Sequence, residues 1–261
     1  MSHRLRRIWH PAMWGPLALL LIVLGLAWQW GSRTMPYLLP PLQRVAETLV
    51  EDWDFYLTNA AVTLYEALLG LAIGTVVAVV AAIAISESRI LRRAILPLAV
   101  VLNVTPLVAI APALVVAFGF GPAPKLIVTA LIVFFPVLIN VAAGLRSVPV
   151  EVMQFYTVIR ASRTEVLLHL RLPTAMPNLL TALKIVFPLS IIGAVVAEMS
   201  APGAADGLGT VISVASSSNR LAVVWAAIGV LAVMGSLLLL FVTVIERRVL
   251  RWHRSTVAAN D

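Results

Sequence analysis

Long stretches without Asp, Glu, Lys or Arg dominate this chain, and short polar segments rich in arginine separate them. A hydrocarbon core of about 30 Å is crossed by roughly 20 apolar helical residues. Six stretches approach that length: residues 11–32, 67–85 (extendable back to Ala60 across Glu66), 94–121, 126–145, 179–199 and 221–245. The fifth has the weakest hydropathy because it carries Lys184 and Glu198, and a charge at the centre of a spanning helix costs about 2.5–3.5 kcal/mol on an insertion scale. The pattern predicts an all-α membrane protein with six transmembrane helices.

The intervening segments have patterns of their own. Residues 35–59 combine Pro36, Pro40 and Pro41 with an amphipathic stretch, 42–54, that carries Glu47, Glu51, Asp52 and Asp54, as an interfacial helix would. Residues 146–177 are long enough to hold two short helices. Pro149 and Glu151 suit the first turn of one, running to about Ile159. Ser162 with Glu165 three residues on forms a capping box that starts the second, through Val166, Leu167 and Leu170, until Pro173 stops it. Residues 200–219, rich in Gly, Ala and Ser, read either as a mobile or re-entrant piece that touches a partner or as an ordinary surface loop.

Composition agrees with a polytopic chain: 61% of the 261 residues are apolar, 12% are charged, and the mean hydropathy is +1.00. The net charge of +7 is therefore a topology signal first and not a nucleic-acid footprint. Of the 19 basic residues, 14 fall on one side of the predicted spans. They are Arg4, Arg6 and Arg7, then Arg89, Arg92 and Arg93, then Arg146, Arg160, Arg163 and Arg171, and finally Arg247, Arg248, Arg251 and Arg254. Arg33, Arg44, Lys125 and Arg220 fall on the other, and Lys184 lies within a span. The positive-inside rule then puts both termini in the cytoplasm of a plasma-membrane protein. The first span runs into Trp28 and Trp30 with no small-residue cleavage site, so it reads as a retained helix and not a secretory signal. There is no cysteine for a disulfide, thiolate site or nucleophile. His3, His10, His169 and His253 have no metal-ligand spacing, and no catalytic residue, metal site or cofactor site is expected.

Ala161-Ser162-Arg163, Leu170-Arg171-Leu172-Pro173, Ala175-Met176-Pro177, Leu183-Lys184-Ile185 and Val195-Val196-Ala197-Glu198-Met199 resemble the cytoplasmic-loop signature and following helix of binding-protein-dependent ABC importer permeases. Ala109-Ile110-Ala111-Pro112, Phe118-Gly119-Phe120-Gly121, Phe134-Phe135-Pro136, Asn140 and Gly144-Leu145 resemble the branch that moves sulfonates, taurine, nitrate or thiamine-pyrimidine precursors. The resemblance runs from Leu39 to Arg248. It implies the type I (MetI-like) architecture: a cytoplasmic segment 1–10, a peripheral first helix 11–32, an external segment 33–59, a five-helix core 60–245 with a coupling loop 146–177, and a cytoplasmic tail 246–261. It also implies separate ATPase subunits that use ATP and magnesium, a second permease copy in a homodimer, and an external solute-binding protein. A P-loop lysine is missing here, since Lys125 follows Pro124 and Lys184 follows Leu183. The rival classes, an ATP-independent channel or secondary carrier and a lipid-modifying membrane enzyme, lack an ion-binding cluster and a convergent acid–base set respectively.

Aligned on Leu172-Pro173, the family's E-A-A falls on Gln154, Phe155 and Tyr156, its turn glycine on Arg160 and its isoleucine on Leu170. Arg160 must bear left-handed backbone strain of about 1–2 kcal/mol, or the turn must differ. The expected ATPase-coupling residues are these together with Ala161, Ser162, Arg163, Glu165, Leu172 and Pro173. Inside the membrane, Glu66, Gly70 and Gly74 share one helix face, and Gly70–Gly74 is a close-packing G-x-x-x-G. Glu66 is either an interfacial or paired carboxylate or an acidic group beside the route, where it would disfavour dense anions. Asn140 reads as helix–helix glue or as a solute contact. Asn103 stands near the route beside Thr105 and Pro106. Glu198 reads as a gate or structural ion-pair residue, with Lys184 about 21 Å away along the helix. Pro106, Pro112, Pro136 and Pro188 mark core helices whose freed carbonyls need cover.

Overall fold

The computed structural model describes residues 11–200 and 206–249. The predicted cytoplasmic N-terminal segment 1–10, residues 201–205 of the second polar segment and the tail beyond Val249 lie outside the described residues. The described chain is helical: α1 Pro11–Thr34, α2 Leu42–Glu51, α3 Trp53–Glu87, α4 Arg89–Val104, α5 Leu107–Phe118, α6 Pro122–Gly144, α7 Val150–Val158, α8 Arg163–Val166, a π-turn Leu167–Arg171, α9 Leu172–Ser200, α10 Leu208–Ser217 and α11 Leu221–Val249.

Among the described residues, Trp53–Glu87, Pro122–Gly144, Arg163–Ser200 and Leu221–Glu246 are each long and apolar enough to cross a membrane. The pair α4 and α5 makes a fifth crossing if counted as one bent span. That bend corrects the uniform third span expected over residues 94–121. The two halves meet at 99°, because Pro106 supplies no N–H and forces Thr105 out of the helical region, to φ −69°, ψ 129°. Thr105 still ends the first half of the span, donating to the Val101 carbonyl through both its amide and its Oγ1.

Helices α3, α6 and α9 form the centre. Ala78, Ala82, Val133, Val137, Ala182 and Val186 are buried between them. The G-x-x-x-G face lets α3 approach α6 backbone to backbone: a β-carbon on Gly70 would stand 2.5 Å from Thr129 Cβ, and one on Gly74 2.6 Å from the Ala130 carbonyl oxygen. At the end away from the arginine clusters, Tyr56, Ala67, Ala194, Leu208, Ala226 and Ala227 make a second core that joins α10 and α11 to α3 and α9. Helix α1 meets the bundle near this end, where Trp28 Nε1 donates to the Pro40 carbonyl and its ring packs edge-on against Trp225 at 4.5 Å.

A second correction concerns Pro173. It does not stop the helix begun by the capping box, and residues 163–200 form one continuous 38-residue helix that absorbs the expected fifth span, 179–199. The Leu172 amide donates to Leu167, five residues back. That widened turn removes the clash a proline ring makes with the carbonyl four residues earlier. In the same turn Thr174 Oγ1 donates to the Leu170 carbonyl at 2.7 Å.

Candidate functional site

Two places in this framework carry polar chemistry, one at each end of α9. At the arginine-rich end, α7 closes with a Schellman cap. The Arg160 amide donates to Thr157 O at 3.1 Å and the Ala161 amide to Tyr156 O at 3.0 Å. The position after the cap must be left-handed, and Arg160 sits there at φ 54°. The strain expected at the position of the family's turn glycine is therefore present. The capping box follows: Glu165 N donates to Ser162 Oγ, and Ser162 N to Glu165 Oε2 at 2.7 Å. Arg171 then pins the helix start to α3 through Glu87 at 2.6 Å. Gln154 and Phe155 face outward, Phe155 being 60% exposed and Val158 81%. Tyr156 is half-buried, with Phe155 edge-on to it. Ala161, Leu170 and Leu172 are half-buried, while Ser162, Arg163, Glu165 and Pro173 are exposed. Burial, with Arg92 close by, holds the Arg146 guanidinium below its ordinary pKa, so two like charges crowd this end.

At the other end, the buried polar groups converge on residues 206–209. Gly207 N donates to Asn59 Oδ1 at 2.7 Å, Leu208 N to Thr63 Oγ1 at 2.8 Å and Gly209 N to Glu198 Oε2 at 2.6 Å. Lys125 Nζ reaches the Asp206 carbonyl at 3.4 Å. The first amides of a helix have no partner within it; those of α10 are capped by side chains from α3 and α9. Glu198 is fully buried, and Thr63 Oγ1 donates to its Oε1 at 2.8 Å. Glycine is required at 207, where φ is +134° and a β-carbon would overlap the Glu198 carboxyl.

Glu66 stands beside Glu198 and pairs with Lys125 at 2.8 Å, the two side chains 6% and 3% exposed. Sequence reasoning missed Lys125. The available signal was that each stands one residue before a predicted span, at 67 and at 126, on the same side of the bundle. Lys184, the other charge in the fifth span, pairs with Glu246 of α11 at 2.5 Å. Asn140 is half-buried and donates to the Pro136 carbonyl of its own helix at 2.7 Å. Asn103 is exposed, just ahead of the α4–α5 bend. The structure thus joins Glu66 and Glu198 in one cluster and leaves Asn103 and Asn140 outside it.

A bundle with a buried ion pair, a broken span and a capped, outward-facing turn at one end suits a transport subunit. Residues 70–251 match the family model described as the binding-protein-dependent transport system inner membrane component, and the chain belongs to that family. It is a multi-pass permease subunit of an ABC importer and a non-enzymatic transport component. Membership implies ATPase and binding-protein partners, and sets aside the channel, carrier and lipid-enzyme alternatives. Among its relatives, the formylaminopyrimidine transport permease protein of Halalkalibacterium halodurans is 30% identical over 90% of this chain and 95% of its own. The taurine transport system permease protein of Escherichia coli is 31% identical over 92% and 88%. A putative aliphatic sulfonates transport permease protein of Bacillus subtilis is 30% identical over 74% and 70%.

Proposed function

We propose that the chain crosses the membrane six times, with α1 and the bent α4–α5 pair each counted as a crossing and both termini in the cytoplasm. It works as a homodimer whose two copies enclose the route, surrounded by membrane lipid, with the crowded Arg92 and Arg146 facing anionic headgroups. An external binding protein delivers a small polar solute of the sulfonate, taurine, nitrate or pyrimidine type, and separate ATPase subunits consume ATP and magnesium in the cytoplasm.

The observation that carries this reading is the exposed apolar surface of α7 at the arginine-rich end. Phe155 and Val158 stand out from a segment held by a Schellman cap, a capping box and the Arg171–Glu87 pair. A rigid apolar projection in an aqueous compartment marks a protein contact, and here the partner is the ATPase. Gln154, Phe155, Tyr156, Arg160 and Ala161 form the turn that enters it, and Ser162, Arg163, Glu165, Leu170, Leu172 and Pro173 pass its motion into the helix. Because residues 163–200 are one continuous helix, about 57 Å long at 1.5 Å per residue, displacement at Ser162 is carried through the π-turn, Pro177 and Pro188 to the Glu198 end. Alternating access follows when ATPase closure swings this lever against α3 and α6. Glu66 and Glu198 serve at the outer gate, and Asn103 and Asn140 border the route.

The chain has no native cysteine, so Val158→Cys can carry a single thiol cross-linker. The reading requires this site to capture the co-expressed ATPase subunit, with Phe155→Asp reducing the yield several-fold. Capture at Tyr37 on the opposite end, but not at Val158, would reverse the proposed orientation.

A further inference from the structure

We propose that the cleft at the outer ends of α3, α10 and α11 receives a basic side chain of the external binding protein, and that Asp206 relays its arrival to α3, α6 and α9. The inference rests on the orientation proposed above, which puts this cleft outside the cell.

The cleft encloses about 400 Å³. Val211, Val214 and Ala215 give it an apolar floor, and Asp52, Asp206 and Arg220 its charges. An adjoining cleft of about 430 Å³ shares Asp52 and Arg220 and adds Arg44 and Glu51. Three carboxylates thus face two guanidiniums across the joined surface, leaving a net negative field. Among the described residues none of the five forms an ion pair, so this field is not spent on internal contacts. Tyr56 also lines the first cleft, with its ring buried at 2% exposure and its hydroxyl bonded to no other described residue. The hydroxyl is open to the cleft, where an entering group can reach it. Thr210 Oγ1, in the same wall, is likewise unpartnered.

An apolar floor, an acidic rim and unmet hydrogen-bonding groups fit a long basic side chain. Its methylenes lie on Val211, Val214 and Ala215, and its head reaches Asp52 and Asp206 with Tyr56 Oη as a further acceptor. Arg220 remains to donate to a carbonyl or carboxylate of the same partner. Asp206 belongs to both the rim and the capped segment: its carbonyl is held by Lys125 and the next three amides by Asn59, Thr63 and Glu198. A pull on Asp206 therefore loads three helices at once, and α9 continues to the coupling turn.

The test titrates liganded binding protein against the permease–ATPase complex in nanodiscs and reads the concentration for half-maximal ATPase stimulation. Asp52→Lys is expected to raise it by about ten-fold or more, and added salt to raise the wild-type value, as charge complementarity requires. Glu47→Lys, on exposed α2 outside both clefts, is expected to leave it within about two-fold. No shift with Asp52→Lys, an equal shift with Glu47→Lys, or displacement of the binding protein by free solute overturns the proposal. For the relay, Thr63→Val is expected to bind the partner normally by interferometry yet lose stimulation, with Thr63→Ser restoring it; stimulation intact in Thr63→Val removes the relay. A wild-type complex that ignores the binding protein sinks the importer assembly itself, and the cleft with it.

Discussion

Arg160→Gly is most informative beside Arg160→Ala. The backbone at this position is left-handed, φ 54°, and closes the Schellman cap of α7. A β-carbon there costs about 1–2 kcal/mol, and glycine in turn widens the unfolded ensemble by roughly 0.5–1 kcal/mol. The net gain for Arg160→Gly is then on the order of 0.5–1 kcal/mol. Arg160→Ala keeps the strained β-carbon and loses an exposed guanidinium that makes no ion pair with another described residue, so it should change little. In an ordinary helical position the order reverses, with glycine about 1 kcal/mol worse than alanine. The sign of the difference thus reports the cap. Hydrogen exchange of residues 150–171 is the assay, since about 1 kcal/mol slows opening roughly five-fold. Exchange in Arg160→Gly that is equal to or faster than in Arg160→Ala would refute the reasoning. Asn219 supplies an internal control: it closes the same cap on α10 at φ 54°, and asparagine tolerates that region, so Asn219→Gly should gain less.

Glu66→Ala strands Lys125 in a buried site and should cost about 3–5 kcal/mol in detergent unfolding titrations, with much of the loss recovered by adding Lys125→Met. Glu198→Ala leaves the Gly209 amide without its acceptor and should cost about 1–3 kcal/mol, whereas Glu198→Gln, which can still accept from Gly209 and donate to Thr63, should cost less than about 1 kcal/mol. Gly74→Leu drives a side chain into the Ala130 backbone and should destabilise by at least about 1–3 kcal/mol or abolish expression, while Gly229→Leu, with open space around it, should do neither.

Four long apolar spans and the basic-end turn were legible because both are local. Apolar length marks a crossing, and Ser162 with Glu165 marks a helix start within four residues. The Arg160 strain was legible only through the resemblance, whose turn glycine falls on this position; nothing in the arginine itself marks a left-handed backbone. The break at Thr105-Pro106 was not, since a hydropathy window scores both halves alike and a proline within a membrane helix does not announce whether the chain kinks or turns by 99°. Pro173 misled for the opposite reason: a π-turn, invisible in residue type, accommodated it. The outer cluster was the least legible part. Glu66 and Lys125 are 59 residues apart, and Thr63 and Glu198 are 135 apart; pairing over such separations is set by how α3, α6 and α9 pack and not by any local pattern. Glycines 207 and 209 stood in a segment that read as loop, although their role is to let a carboxyl close on the start of a helix.

The central claim, that this chain is the membrane path of an ATP-driven, binding-protein-fed importer, is tested most directly by uptake into proteoliposomes. The permease is reconstituted with its ATPase, and labelled taurine, alkanesulfonate, nitrate and aminopyrimidine are offered with and without the binding protein. The account predicts that at least one of these accumulates only when binding protein and ATP with magnesium are both present, and that Phe155→Asp abolishes that accumulation. Accumulation that proceeds without ATP, or that Phe155→Asp leaves untouched, would contradict it.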